Sequence, residues 1–317
     1  MLSTSYRLAI AIPTYNRSSI LEENIKIMLP ELKLYGIPVF ISDDSNDLQT
    51  LRVVENLKLE YEGIHYKHNT PGLGHDENFF ATLGLADSDY VWYMGDSVYF
   101  VPGCIFKILK ILESGVDFVF INSYAKDIDC RLIENTHDFL LDRTWYLTLT
   151  GATIYGRRPR SLVVEEGRKF SWRNFVQLGL ILEYCSKNSA SMYWYGTPSL
   201  GFNKKKKSYW MKSALDVFVG DWVAFIKSFP NLFSATEMRS VIRSHATNTG
   251  IFGLKSLLFF RANDGLNFPI INKNKKYYSI ASPNSVKVAY AVALIPLPLI
   301  RLLYRIFYFS RSVFKLS

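Results

Sequence analysis

Short apolar runs alternate with helix-period segments through roughly the first 120 residues, and nothing else in the 317-residue chain constrains the fold as much. Residues 8–12 are an apolar run ended by Pro13 and read as a buried strand. Ile20, Ile25, Ile27, Met28 and Leu32 then recur at helical spacing, closed by Gly36 and Pro38. Residues 39–41 give a second strand that stops at Ser42-Asp43-Asp44-Ser45, and Leu48, Leu51, Val54 and Leu57 a second helix. The same pattern places strands at 64–67, 90–94 and 118–121, with helices at 77–85 and 102–113. Such alternation implies βαβ units and a mainly parallel sheet flanked by helices on both faces. Ligands of these sheets bind beyond the carboxyl ends of the strands. The polar clusters fall there: Thr14-Tyr15-Asn16-Arg17, Asp43-Asp44, and Asp96.

Beyond residue 145 the signals are less regular: a stretch at 151–155, a helix at 175–185, the basic run 204–207, and helices near 221–229 and 237–245. Residues 286–309 are almost wholly apolar but broken by Pro296, Pro298, Arg301 and Arg305. The longest uncharged run there, 288–300, is thirteen residues. Crossing a bilayer takes about 20 apolar residues, so a clean transmembrane helix is not expected. Charge sharpens this reading. The net +9 looks like a nucleic-acid signal. Yet ten of 37 basic residues and one of 28 acids lie in 255–317, which leaves 27 of each in 1–254. A neutral body with a basic, aliphatic tail excludes a nucleic-acid binder and points to an anionic membrane surface. Three organisational segments follow: 1–125, 126–254 and the basic, apolar extension 255–317. Cys104, Cys130 and Cys185 form no metal or disulfide spacing, and residues 1–12 hold no secretory leader, so a reducing, cytoplasmic setting is expected.

Two acidic strand ends in one βαβ domain carry the chemistry. Asp43 suits a ribose hydroxyl or a base N–H, and Asp96 a divalent cation on a diphosphate. The plainer alternative is that both cap the turns they start. Gly72-Leu73-Gly74 lacks a third glycine and supports no dinucleotide fingerprint.

The order Ala11-Ile12-Pro13-Thr14-Tyr15-Asn16-Arg17, Ile41-Ser42-Asp43-Asp44-Ser45, Asn69-Thr70-Pro71-Gly72 with Asn78, then Tyr93-Met94-Gly95-Asp96 resembles the GT-A fold glycosyltransferases of family 2. Among its subgroups it looks most like bacterial O-antigen and capsule transferases of the abequosyltransferase-like group. The resemblance is good over residues 7–125. It implies a Rossmann-like α/β GT-A fold with a C-terminal helical extension. It also implies a nucleotide-sugar donor held by Pro13, Tyr15, Asn16, Arg17, Asp43, Asp44, Asn69, Gly72, Asn78 and Asp96. Mg²⁺ or Mn²⁺ would sit at Asp96, with His245 as a late metal contact; the bland reading of His245 is a helix-end histidine. Where the family has Asp-x-Asp this chain reads Asp96-Ser97-Val98, so metal binding is expected to be weak. The resemblance further implies inverting transfer to a glycan or polyprenyl-linked glycan. Asp221 in Gly220-Asp221-Trp222 would be general base, Asp216 its rival, and Trp222 a floor for the sugar. As an alternative for Asp221, it caps the following helix. The tail would hold the chain peripherally on the cytoplasmic face of the bacterial inner membrane, and a homo-oligomer is left open. A different class of function, a non-catalytic GT-A subunit that scaffolds a partner enzyme, is motivated by the same Asp96-Ser97-Val98.

Overall fold

A computed structural model describes residues 6–123, 127–161, 172–205 and 209–302. The chain forms two compact units, residues 1–206 and 207–317.

In the first unit the alternating pattern becomes β1 (Tyr6–Thr14), α1 (Ser18–Tyr35), β2 (Val39–Asp43), α2 (Gln49–Glu60), β3 (Ile64–His68), α3 (His75–Leu85) and β4 (Ser88–Tyr93). Then follow β5 (Val98–Phe100), α4 (Ile105–Leu112), β6 (Phe118–Ile121), β7 (Arg131–Leu132), α5 (Thr136–Arg143), β8 (Thr153–Gly156), α6 (Val176–Lys187), β9 (Met192–Tyr195) and β10 (Leu200–Phe202). Among the described residues an eight-stranded sheet runs β3-β2-β1-β4-β8-β6-β9-β7. Its pairs are parallel except β4–β8, β6–β8 and β7–β9. Residues 8–12 of β1 are all buried, as expected of a strand covered on both faces.

The expected α1 stripe holds at Ile25, Met28 and Leu32 but not at Ile20 and Ile27. Leu21, Asn24, Ile25, Met28 and Leu32 face inward, while Ile27 is exposed. Gly36 ends the helix in the left-handed region (φ 62°), its N–H reaching Leu32 O and Lys33 O. The two-stranded ribbon β5–β10 is absent from the sequence pattern, because three residues per strand carry no period.

Strands β7, β8 and β9, contributed by residues 131–195, join the sheet that β1 starts.

The second unit is helical. A π-helical turn, Asp216–Asp221, runs into α7 (Trp222–Lys227), followed by α8 (Ala235–Thr249), α9 (Leu254–Ala262), α10 (Phe268–Ala281) and α11 (Val286–Ala293). Ser234 and Glu237 form a reciprocal capping box at the start of α8. Among the described residues no helix is long and apolar enough to cross a membrane.

Candidate functional site

The chain steps from β1 outward to β2 and β3, then returns to lay β4 on the other side of β1. This reversal is a topological switch point, where the carboxyl ends of neighbouring strands open a crevice. The expected donor-side residues lie at that edge or in the loops beside it, except Asn78, which lies on α3. Pro13 and Thr14 end β1 in register with Ser42 and Asp43 of β2.

Asp96 follows β4 and is 5% exposed. Its Oδ1 accepts from an Arg17 guanidinium N–H at 3.2 Å and its Oδ2 from the Thr14 hydroxyl at 3.2 Å. Asn24 Nδ2 donates to the Asp96 backbone carbonyl at 2.7 Å. Asn24 is the polar member of the buried α1 stripe. An amide inside an otherwise apolar period is the signal that would have found it.

Around Asp96 the rest of the motif is braced by the first loop. Asn16 takes a left-handed conformation (φ 51°), donates its N–H to Ser45 Oγ at 2.8 Å and accepts from Asn46 N–H at 3.1 Å. Tyr15 is 54% exposed, its hydroxyl accepting from Asn46 Nδ2 at 3.1 Å.

Asp43 is fully buried, and this changes its expected role. Oδ1 accepts from Ser45 N–H at 2.9 Å and Oδ2 from the Tyr66 hydroxyl at 2.8 Å. The carboxylate ties β3 to the turn after β2 and presents no surface to a ligand. Burial and the Asp43 contact push the Tyr66 phenol well above its ordinary pKa, so it stays the donor.

Asp44 is braced in the same way. It accepts from Asn69 Nδ2 at 2.8 Å and from Gly74 N–H at 2.8 Å. Asn69 also donates to Ser42 Oγ at 2.9 Å, and Ser42 in turn donates to Asn78 Oδ1 at 2.6 Å. A Cβ on Gly72 would come within 3.3 Å of the Asp44 carbonyl, which is why the close approach takes glycine. Residues 70–75, held by this network, are exposed. Asp44, Asn69 and Asn78 thus hold a loop at the mouth of the crevice.

The position after Asp96-Ser97 is structural. Val98 is 2% exposed and packs in the core near Gly95 and Gly151. A carboxylate there would be buried without a counter-charge, which accounts for the missing second acid. Ser97 Oγ is buried with no hydrogen-bond partner among the described residues. The described residues also contain no group of three or more His, Cys, Asp or Glu able to hold an ion. One hard carboxylate suits Mg²⁺ or Mn²⁺ when diphosphate oxygens and water complete the shell. The residues therefore fit an ion that arrives with a diphosphate.

In the second unit His245 is 4% exposed, its ring stacked on Phe218 at 4.8 Å and tilted against Trp222 at 5.3 Å. Burial pushes its pKa down to about 4, so the imidazole is neutral at pH 7. It is a core ring, and the expected late metal contact is withdrawn. Trp222 is likewise fully buried, its indole N–H donating to Ile242 O at 3.0 Å, so it floors no sugar site.

Asp221 closes the π turn after Gly220 with helical dihedrals on both sides and no side-chain cap bond, which removes its reading as an N-cap. Asp216, its rival, is occupied by Lys273 Nζ at 3.0 Å and Asn274 Nδ2 at 2.8 Å. π turns recur at functional sites.

Tyr146, Tyr155, Trp194 and Tyr195 are core residues. Within the basic run Lys205 pairs with Glu23, while residues 206–207 lie outside the described residues. An open groove of about 460 Å³ runs past Arg131, Glu134, Asp138 and Arg143 at the β7 edge, four strands from β4. The arginines in it are engaged by Asp127, which they hold at a pKa of about 2.

Residues 9–172 match the model of glycosyl transferase family 2, just over half of the chain. The chain belongs to that family. Relatives include the abequosyltransferase RfbV of Salmonella typhimurium, 30% identical over 145 residues, or 44% of this chain and 41% of the relative. A second is the GalNAc(5)-diNAcBac-PP-undecaprenol β-1,3-glucosyltransferase of Campylobacter jejuni, 26% identical over 117 residues, or 37% of this chain and 38% of the relative. The matched stretches thus span about two fifths of those relatives' own length. Among solved structures, S. aureus TarS 1–349 in complex with UDP-GlcNAc superposes with a TM-score of 0.58 at 15% identity, covering 94% of this chain and 91% of that one. A mannosyltransferase from Pyrobaculum calidifontis, in complex with GDP-Man and Mn²⁺, gives 0.51 at 13% identity, covering 92% and 87%. At these identities the superpositions establish the GT-A fold, as the motif order implied.

Proposed function

We propose that the chain transfers a sugar from a nucleotide-activated donor to a glycan or polyprenyl-linked glycan acceptor in bacterial surface-polysaccharide synthesis. The observation that carries this reading is Asp96. It is a buried carboxylate fixed by Arg17, Thr14 and Asn24 at the β1–β4 switch point, inside the stretch that matches family 2. The names of the relatives, an abequosyltransferase and an undecaprenol-linked glucosyltransferase, support the acceptor class.

The donor diphosphate lies over the ends of β1 and β4, with Asp96 and Arg17 beneath it. Tyr15 and the braced loops 42–46 and 69–74 line its nucleoside. Asp96 would hold Mg²⁺ or Mn²⁺ on the donor diphosphate, where the ion would supply charge neutralisation for the departing nucleoside diphosphate. Asp221 accepts the proton of the acceptor hydroxyl, and the displacement inverts the anomeric carbon. The chain works peripherally at the cytoplasmic face of the inner membrane.

Turnover of a panel of nucleotide sugars with Mn²⁺ tests the assignment, comparing wild type with Asp96→Ala and Asp221→Ala. Both substitutions are expected to abolish most product. Activity indifferent to both removes the site, and tight donor binding with no turnover across the panel favours the non-catalytic scaffold.

A further inference from the structure

The end of the described chain departs from the usual form of a surface helix. α11 turns Ala289, Val292 and Ala293 inward, all at 3% exposure or less. Its opposite face, spaced i, i+4 and i+7, is Lys287, Ala291 and Leu294, with Val288 beside them. Leu294 is 69% exposed and Val288 36%. Past Pro296 helical backbone resumes over 297–302, burying Ile300 and leaving Leu299 and Leu302 about half exposed. Exposed Phe268, at the start of α10, leans on Tyr290 of α11 with ring centroids 5.7 Å apart. A helix this apolar on both faces, with Lys287 its one charge, is suited to an apolar environment on its outer side as well, and among the described residues that side is exposed.

Charge decides what covers the other side. From 265 to 317 the sequence holds eight basic residues and no acid, and Lys275, Lys276 and Lys287 are exposed. Pairing this face with a second copy would set two cationic tails against each other. An anionic lipid surface satisfies both features, since aliphatic side chains enter the headgroup boundary while lysine and arginine stems reach back to phosphate.

We propose that Val288, Leu294, Leu299 and Leu302, flanked by Lys287, dock the second unit onto an anionic phospholipid surface. The proposal rests on the peripheral placement given above and supplies the face and the lipid chemistry for it.

Flotation of the full chain with phosphatidylcholine vesicles, with and without phosphatidylglycerol, tests it. The wild type is expected to float with the anionic vesicles only, and less as salt is raised. Leu294→Glu/Leu299→Glu/Leu302→Glu is expected to weaken flotation by at least about tenfold, with unchanged circular dichroism and unchanged transfer to a water-soluble acceptor. Leu294→Glu alone, at the most exposed of these positions, serves if the triple variant misfolds. Three results overturn the proposal: a wild type that stays with neither vesicle, variants that float like wild type, or a dimer that the substitutions split while lipid binding persists. Loss of transfer with flotation intact would count against the donor site and leave the lipid face standing.

Discussion

At the residue scale, each acid of the candidate site is defined by what already holds it. Asp43 and Asp44 spend their oxygens on Tyr66, Ser45, Asn69 and Gly74. Asp96 is fixed by a guanidinium and a hydroxyl. Asp221, the base that the family resemblance implies, sits on a π turn, and Asp216 contacts Lys273 and Asn274. Asp221→Asn is therefore expected to lower kcat by about 10²–10⁴-fold with donor affinity unchanged, while Asp216→Asn leaves kcat within about tenfold. Steady-state kinetics beside donor titration separates the two outcomes; equal losses would contradict the assignment of the base. His245 yields a prediction about pH. Its folded pKa of about 4 lies below the unfolded value of 6.5, so the unfolded chain binds the proton first. Stability is thus full above pH 6.5 and declines as pH falls toward 4, by up to about 3 kcal/mol from this group. Urea midpoints at pH 7 and pH 4.5 are expected to converge in His245→Phe relative to wild type. An unchanged gap would assign the acid sensitivity elsewhere.

At the element scale, what holds the mouth of the crevice is a polar network between strand ends. Asn78, 4% exposed, accepts from Ser42 and packs beneath Asn69. Asn78→Leu removes the acceptor of the buried Ser42 hydroxyl, while Asn69 keeps Ser42 Oγ and Asp44. The expected cost is about 1–3 kcal/mol in urea denaturation, with a raised KM for the donor as loop 69–74 loosens. A variant with normal KM would show that this loop does not touch the nucleoside. Gly151, at φ +97° with a Cβ position 3.0 Å from Val98 Cγ1, makes a second case. Gly151→Ala is expected to destabilise by about 1–2 kcal/mol.

The elements themselves were legible wherever a period was long enough, as in β1, β2, α2 and α3. In α1, Ile25, Met28 and Leu32 were legible, but Ile20 and Ile27 are as apolar as Leu21, and only packing separates them. Roles were less legible than positions. Motif order located Asp43, Asp44, Asn69 and Asn78. That they brace the loop became visible only when Tyr66, Ser42 and Gly74 arrived from other segments, beyond the reach of any local pattern.

At the scale of the whole molecule, charge and apolar surface divide between the two units. The first unit belongs to the near-neutral body and ends its strands in braced acids. The second carries most of the basic surplus and an outward aliphatic face. The sequence arithmetic already separated the basic tail at 255–317, whereas no local period showed that β7, β8 and β9 return to the sheet that β1 starts. The central claim is that nucleoside diphosphate binds the carboxyl ends of β1, β2 and β4. Hydrogen–deuterium exchange of the full chain, with and without UDP, GDP, CDP and dTDP in the presence of Mn²⁺, tests it most directly. At least one nucleotide is expected to slow exchange in residues 13–17, 42–46, 69–75 and 94–97, and the effect is expected to vanish in Asp96→Ala. Protection confined to the groove at 131–143, or protection that survives Asp96→Ala unchanged, would contradict it.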